Sequence, residues 1–291
     1  MEGNQCIIKN IAKFGDKYCQ DFLDWDKNKL ETNWWYALNF FFDHSFMRGR
    51  RDELSGKYED FVIQVLGDYL KVNENIDVSY RKLKRAIKYL DKNIILKFKE
   101  CRGIDGRKNA IDQEDFSREV ENKNPIIKLF LTKTKIDGKE IHLGNDKDIM
   151  MVLDVLNLIS SDEKKKNLYV HIKNLLIKSD VDEAYNQLNE LAYIGDKLAA
   201  LVIRDIILMN PNDFKNVDFD IKKAFPVDTW VEQVAKKLGY KKDNIEELKE
   251  CLIDECKEIG VNPMKFAAGL WYLGMNSLDI LIDNLGEITI K

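Results

Sequence analysis

Only four prolines and fifteen glycines punctuate the 291 residues, and between them apolar positions recur mostly at spacings of three and four. Proline and glycine are the residues a helix interior tolerates least, so long stretches free of both with that periodicity predict a predominantly helical protein. A mainly α fold is the expectation. Residues 33–46 are dense in Trp, Tyr and Phe, and a polar break at residues 48–52 separates them from an amphipathic run beginning near Tyr58. The pattern is helix, loop, helix. One strand signal interrupts it at residues 135–141, where Asp137-Gly138 suits a tight turn, so at most a small β-hairpin is expected. No internal repeat, heptad run or low-complexity linker is present, and residues 1–291 read as one compact unit.

With 45% of its residues hydrophobic, a chain of this length has the material for a large core and does not need a disulfide-stapled scaffold. Charged residues make up 33%, and the longest apolar runs are far too short to cross a bilayer, so no membrane association is expected. The first residues lack the basic start, apolar stretch and small-residue cleavage site of a secretory signal, which points to the cytoplasm. Five cysteines, Cys6, Cys19, Cys101, Cys251 and Cys256, have no framework spacing and read as free thiols in a reducing compartment. Cys251 and Cys256 have no second pair beside them to complete a metal-binding set.

Lys plus Arg total 46 against 50 Asp plus Glu, a net charge of -4, which excludes a uniformly basic nucleic-acid-coating protein. Any DNA contact must be local. Residues 81–108 carry eleven Lys or Arg and three acids, a balance of +8, and read either as a solvated helix face or, through Lys82, Lys92 and Lys99, as a phosphate contact.

The most specific chemistry lies between Val181 and Gly239. A polar amphipathic helix over residues 182–191 leads into Leu191-Ala192-Tyr193-Ile194-Gly195-Asp196-Lys197, and an almost wholly apolar helix follows over residues 198–209. Gly195 permits a tight turn, and the amides opening the second helix form an anion site of the kind found at helix N-termini. Lys197 starts the apolar helix, where partial withdrawal from water favours a neutral, nucleophilic amine. Downstream, residues 225–239 place Asp228 at the mouth of another helix, with Thr229 and Glu232 in capping-box spacing, an apolar face of Val231, Val234, Ala235 and Leu238, and Gly239 as the stop. A carboxylate at the positive end of a helix dipole suits a group that stabilises a cation or accepts a proton.

These two segments resemble the helix-hairpin-helix DNA glycosylases, the superfamily of endonuclease III and the 8-oxoguanine glycosylases. Leu191, Ile194, Gly195 and Lys197 match the family hairpin and its catalytic lysine, and Val227-Asp228-Thr229 matches the segment bearing the catalytic aspartate. Tyr193 stands where the family carries its first hairpin glycine. The interval from Lys197 to Asp228 is 31 residues, longer than in endonuclease III-like members and closest to the archaeal 8-oxoguanine glycosylases. The four-cysteine cluster of endonuclease III is absent.

The resemblance implies a two-lobed helical fold with the helix-hairpin-helix at residues 182–209 and the aspartate segment at 225–239. It implies a bifunctional DNA repair N-glycosylase and AP lyase: Lys197 displaces an oxidised base, 8-oxoguanine first among the candidates, and a Schiff base then leads to β-elimination. Asp228 would offset the cationic sugar and help remove the lysine proton. Ile194, Gly195 and Asp196 would meet DNA, and Trp271, Trp34 and Trp35 are the candidate aromatics for an everted base. Neither metal nor organic cofactor is required, and the expected partner is damaged double-stranded DNA bound by a monomer, nucleoid-associated when engaged. The bland roles for the same residues are a solvated first-turn lysine, a plain helix cap and core aromatics. A non-catalytic helix-hairpin-helix DNA-binding protein is the alternative.

Overall fold

The computed structural model describes residues 2–47, 52–87, 125–136, 138–143, 146–215, 217, 220–240, 242 and 244–282. Residues 48–51 of the polar break and residues 88–108 of the basic stretch, with Lys92, Lys99 and Cys101, lie outside them. The described chain is mainly helical, with one two-stranded antiparallel sheet. None of its helices is long and apolar enough to cross a membrane. The chain forms two compact units, one comprising Met1–Asp26, Ile172–Asn189 and Gly195–Lys291, the other Lys27–His171 and Glu190–Ile194.

The second of these contains α2 (Lys27–Thr32), α3 (Trp34–Ser45), α4 (Asp52–Leu70), α5 (Ile76–Ile87), α6 (Pro125–Leu131) and α7 (Asp146–Ser161). Asn33 starts α3 by accepting the amides of Trp35 and Tyr36 on its side-chain oxygen, satisfying donors that the helix itself leaves open. The α3 sequence is apolar almost all round, and such a helix belongs inside: Phe40, Phe41 and Phe42 are fully buried. The expected hairpin forms as β1 (Thr134–Ile136) and β2 (Lys139–Ile141), with Gly138 at a positive φ of 77° in the turn. Lys82, offered above as a phosphate contact, instead donates to the Tyr69 carbonyl and lies 4.2 Å from the Tyr69 ring centroid.

The first unit is built on α1 (Glu2–Phe22) and α13 (Pro263–Ile282), with α9 (Val181–Asn189), α10 (Asp196–Met209), α11 (Thr229–Lys237) and α12 (Ile245–Glu258). Between α7 and α9, helix α8 (Leu168–Ile177) passes from one unit's segment into the other's. Asn262 caps α13 through the amides of Met264 and Lys265, and Pro263 follows at the first helical position, where its missing N–H costs nothing. The core joins Ile8 and Ile11 of α1, Val231 and Val234 of α11, and Leu252 of α12 to Phe266 and Leu270 of α13. Helix α11 ends as expected at Gly239, whose φ of 95° and amide bond to the Lys236 carbonyl, with Tyr240 bonding back to Ala235, make the left-handed terminus that glycine adopts most readily.

Candidate active site

The hairpin connects two real helices. Helix α9 ends at Asn189, residues 190–195 form the turn, and α10 opens at Asp196 with Gly195 as its N-cap residue. Tyr193 has a φ of 62°, the left-handed conformation that glycine would adopt without strain and that a side chain adopts at a cost. Two contacts hold the turn: the Ala192 amide donates to Asp154 Oδ2 at 2.9 Å, and the Lys147 ammonium lies 5.9 Å from the Tyr193 ring centroid.

Of the three hairpin residues expected to face DNA, Gly195 and Asp196 are exposed. Ile194 is buried, and its amide closes the turn on the Leu191 carbonyl at 3.0 Å, so its role is to anchor the turn. Asp196 accepts the hydroxyl of Tyr185 from α9, which turns its charge toward the protein; burial first, then this hydrogen bond, push the Tyr185 phenol up from its ordinary value.

Lys197 and Asp228, 31 residues apart in sequence, are brought together. Lys197 Nζ stands 3.9 Å from Asp228 Oδ2, with the lysine side chain 36% exposed and the aspartate 12%. The two carboxylate oxygens divide their work. Oδ1 accepts the amides of Trp230 and Val231, both at 3.0 Å, while Oδ2 faces the lysine. This makes Asp228 the cap of α11 in place of the Thr229 capping box: its side chain already satisfies the helix's leading donors, and the helix begins at Thr229 itself. An amine that reaches solvent and a carboxylate fixed by two amides can together deliver a nucleophile and receive its proton.

The three candidate aromatics do not share one environment. Trp34 and Trp35 are buried in the Lys27–His171 unit, where Trp34 donates its indole N–H to the Ile76 carbonyl at 2.9 Å and meets Trp35 and Tyr80. They are core residues there. Trp271 belongs to the unit of Lys197 and Asp228; it is half-buried and stands edge-on to Tyr18 and Phe22 with ring centroids 5.5 and 5.4 Å away.

Sequence reasoning passed over Arg204 and Asp205. Both are fully buried in α10, with Arg204 Nε donating to Asp205 Oδ1 at 2.7 Å and Tyr18 donating its hydroxyl to Asp205 Oδ2 at 2.6 Å. The signal was an adjacent charge pair in the middle of an apolar run, which only function or a distant partner explains. Burial, and then the Asp205 carboxylate, push the neighbouring Cys19 thiol up to about 11. Burial drives Cys256 to about 12, so neither thiol is a ready nucleophile. Among the described residues no group of three His, Cys, Asp or Glu is arranged to hold a metal ion. Comparison with family models, with curated proteins and with solved structures gave no match.

Proposed function

We propose that this protein is a DNA repair N-glycosylase with AP-lyase activity that removes an oxidised base, 8-oxoguanine first among the candidates, from double-stranded DNA. The observation that carries the reading is the approach of Lys197 Nζ to within 3.9 Å of Asp228 Oδ2, at the openings of two helices that follow a hairpin of the matching form. Asp228 Oδ2, unused by the cap, takes the proton from the lysine. The neutral amine bonds to the sugar C1′ as the C1′–N bond to the base breaks, and the departing base takes the proton that Asp228 has just received. Opening of the sugar ring gives the protonated imine; loss of a C2′ proton then expels the 3′ phosphate and nicks the strand. Through the first step the Asp228 charge opposes the positive charge growing on the sugar.

The exposed Gly195 and the first amides of α10 are suited to a phosphate oxygen, since helix N-termini present unsatisfied donors and a positive dipole end. The cytoplasm is the compartment that fits this reading. A second reading, a non-catalytic helix-hairpin-helix DNA-binding protein, is favoured by one observation: Tyr193 at the hairpin position where the family has glycine.

Borohydride trapping separates them. The expected result is a covalent protein–DNA complex on duplexes bearing 8-oxoguanine, formed without added metal. DNA binding with no trapped complex, across a panel of lesions and at a ready-made abasic site, would establish the second reading and overturn the first.

A further inference from the structure

The buried pair on α10 has a feature that packing does not explain. Consecutive helix residues point in different directions, and Arg204 meets Asp205 through Nε. The outer part of the guanidinium is left over. Its Nη2 is fully buried and has no hydrogen-bond partner among the described residues, an arrangement that is costly for a charged donor in a low-dielectric interior. Asp205 is already engaged through both oxygens, by Arg204 and by Tyr18.

An aromatic ring lies against this guanidinium, and that ring belongs to a cluster. The guanidinium carbon lies 4.5 Å from the Tyr18 ring centroid, Tyr18 stacks on Phe22 at 5.4 Å and 24°, and both stand edge-on to the half-buried Trp271. Arg204 is also seven residues beyond Lys197 on the same helix. Two turns of α-helix put them on one face with about 10 Å of axial rise between them, the scale of a nucleotide measured from its sugar to the outer edge of its base.

Resting on the glycosylase reading, we propose that Arg204 determines which bases the enzyme accepts: Nη2 donates to a carbonyl oxygen on the edge of the everted base remote from the sugar, while the base lies against Trp271, Tyr18 and Phe22. Asp205 is the positioning residue, holding the guanidinium by Nε and leaving Nη2 for the base. A donor at that point donates to the six-position carbonyl of a guanine-type base and opposes the six-position amine of an adenine-type base, which is itself a donor. The substrate class is therefore keto rather than amino at that edge. Nη2 is buried as it stands, so admission of the base requires the side chains that cover it to move.

The test compares base release under single-turnover conditions from duplexes carrying 8-oxoguanine or 8-oxoadenine, together with strand nicking at a ready-made abasic site, where there is no base to read. Wild type is expected to prefer 8-oxoguanine. Arg204→Met is expected to lose roughly ten- to hundredfold in 8-oxoguanine release, the range for a charged hydrogen bond, to lose the preference for the keto base, and to nick the abasic site as before. Release at the wild-type rate, or a preference left intact, overturns the proposal while leaving the glycosylase reading in place. Wild-type protein that neither releases base nor nicks the abasic site defeats that reading instead. If Arg204→Met loses nicking as well, Arg204→Lys decides: it keeps the buried cation without the fork, so a narrowed preference supports the proposal and an unchanged one ends it.

Discussion

Gly269 of α13 and Ile11 of α1 meet backbone to backbone: a Cβ on Gly269 would stand 1.9 Å from the Ile11 carbonyl oxygen. The contact is reciprocal, because a Cβ on Gly15 would stand 2.0 Å from the Lys265 carbonyl oxygen. Neither obstacle is a flexible side chain, so the helices would have to separate. Gly269→Ala and Gly15→Ala are each expected to destabilise the protein by about 3 kcal/mol or more, at the upper end of overpacking effects. Denaturant unfolding checks this, with Gly56→Ala as a control at a helical glycine that has open space around it.

Lys197→Gln removes the proposed nucleophile while preserving length and polarity, so borohydride trapping should vanish while lesion DNA still binds. Asp228→Asn retains the Oδ1 acceptor that caps α11 and removes the charge beside Lys197. Trapping should slow by about a hundredfold, corresponding to roughly 3 kcal/mol of lost transition-state stabilisation, with stability little changed. Asp228→Ala should add a stability loss of about 1 kcal/mol through the missing cap. Stopped trapping time courses and melts on the same three proteins distinguish cap from charge.

At the hairpin, the left-handed Tyr193 backbone sets the direction of two substitutions. Tyr193→Val places a β-branched side chain where φ is positive and should lower stability by roughly 1–2 kcal/mol. Tyr193→Gly removes the strain and should be tolerated or stabilising, even though glycine loses more chain entropy on folding. Equal losses for Val and Gly would show that the Tyr193 ring, beside Lys147, matters more than its backbone.

Glu59 gives the Lys27–His171 unit a pH dependence. Burial first, and then the nearby carboxylates of Asp43 and Asp60, raise its carboxyl from 4.5 to about 8. Between those values the folded protein holds a proton that the unfolded chain has released, so stability is full below about 4.5 and falls as pH rises toward 8. Glu59→Gln, neutral throughout, should flatten this slope and stabilise the protein at pH 8 more than at pH 4.5. Urea midpoints of both proteins across that range check it, and parallel curves would assign the slope to other groups.

The helices around the hairpin are legible because each carries a local signal. An amphipathic pattern marks α9, an apolar run marks α10, and Gly239 marks the end of α11. Boundaries shifted where neighbouring residues compete for one role: Asp228 and Thr229 both make good caps, and the aspartate takes the position. Other features depend on partners far along the chain. Tyr18 and Asp205 are 187 residues apart, so nothing local announces their hydrogen bond. Gly15 and Gly269 look like weak points in their helices when taken singly, and only the crossing makes them necessary. The burial of Trp34 and Trp35 was equally hidden, since an aromatic-rich helix can line a cleft or fill a core with the same sequence.

Helix α13 carries three fittings within six residues. Gly269 admits the α1 backbone, Trp271 stands against Tyr18 and Phe22, and Gly274 makes room for Trp230, whose Cβ would lie 2.7 Å from a Cβ placed there. Each fitting faces its own neighbour by virtue of its angular place on the helix. Inserting or deleting one residue ahead of them would turn all three by about 100° at once. Change in this stretch is therefore confined to exchanging side chains on its outer face, such as Asn276, while its length is locked to the register of the helices around it.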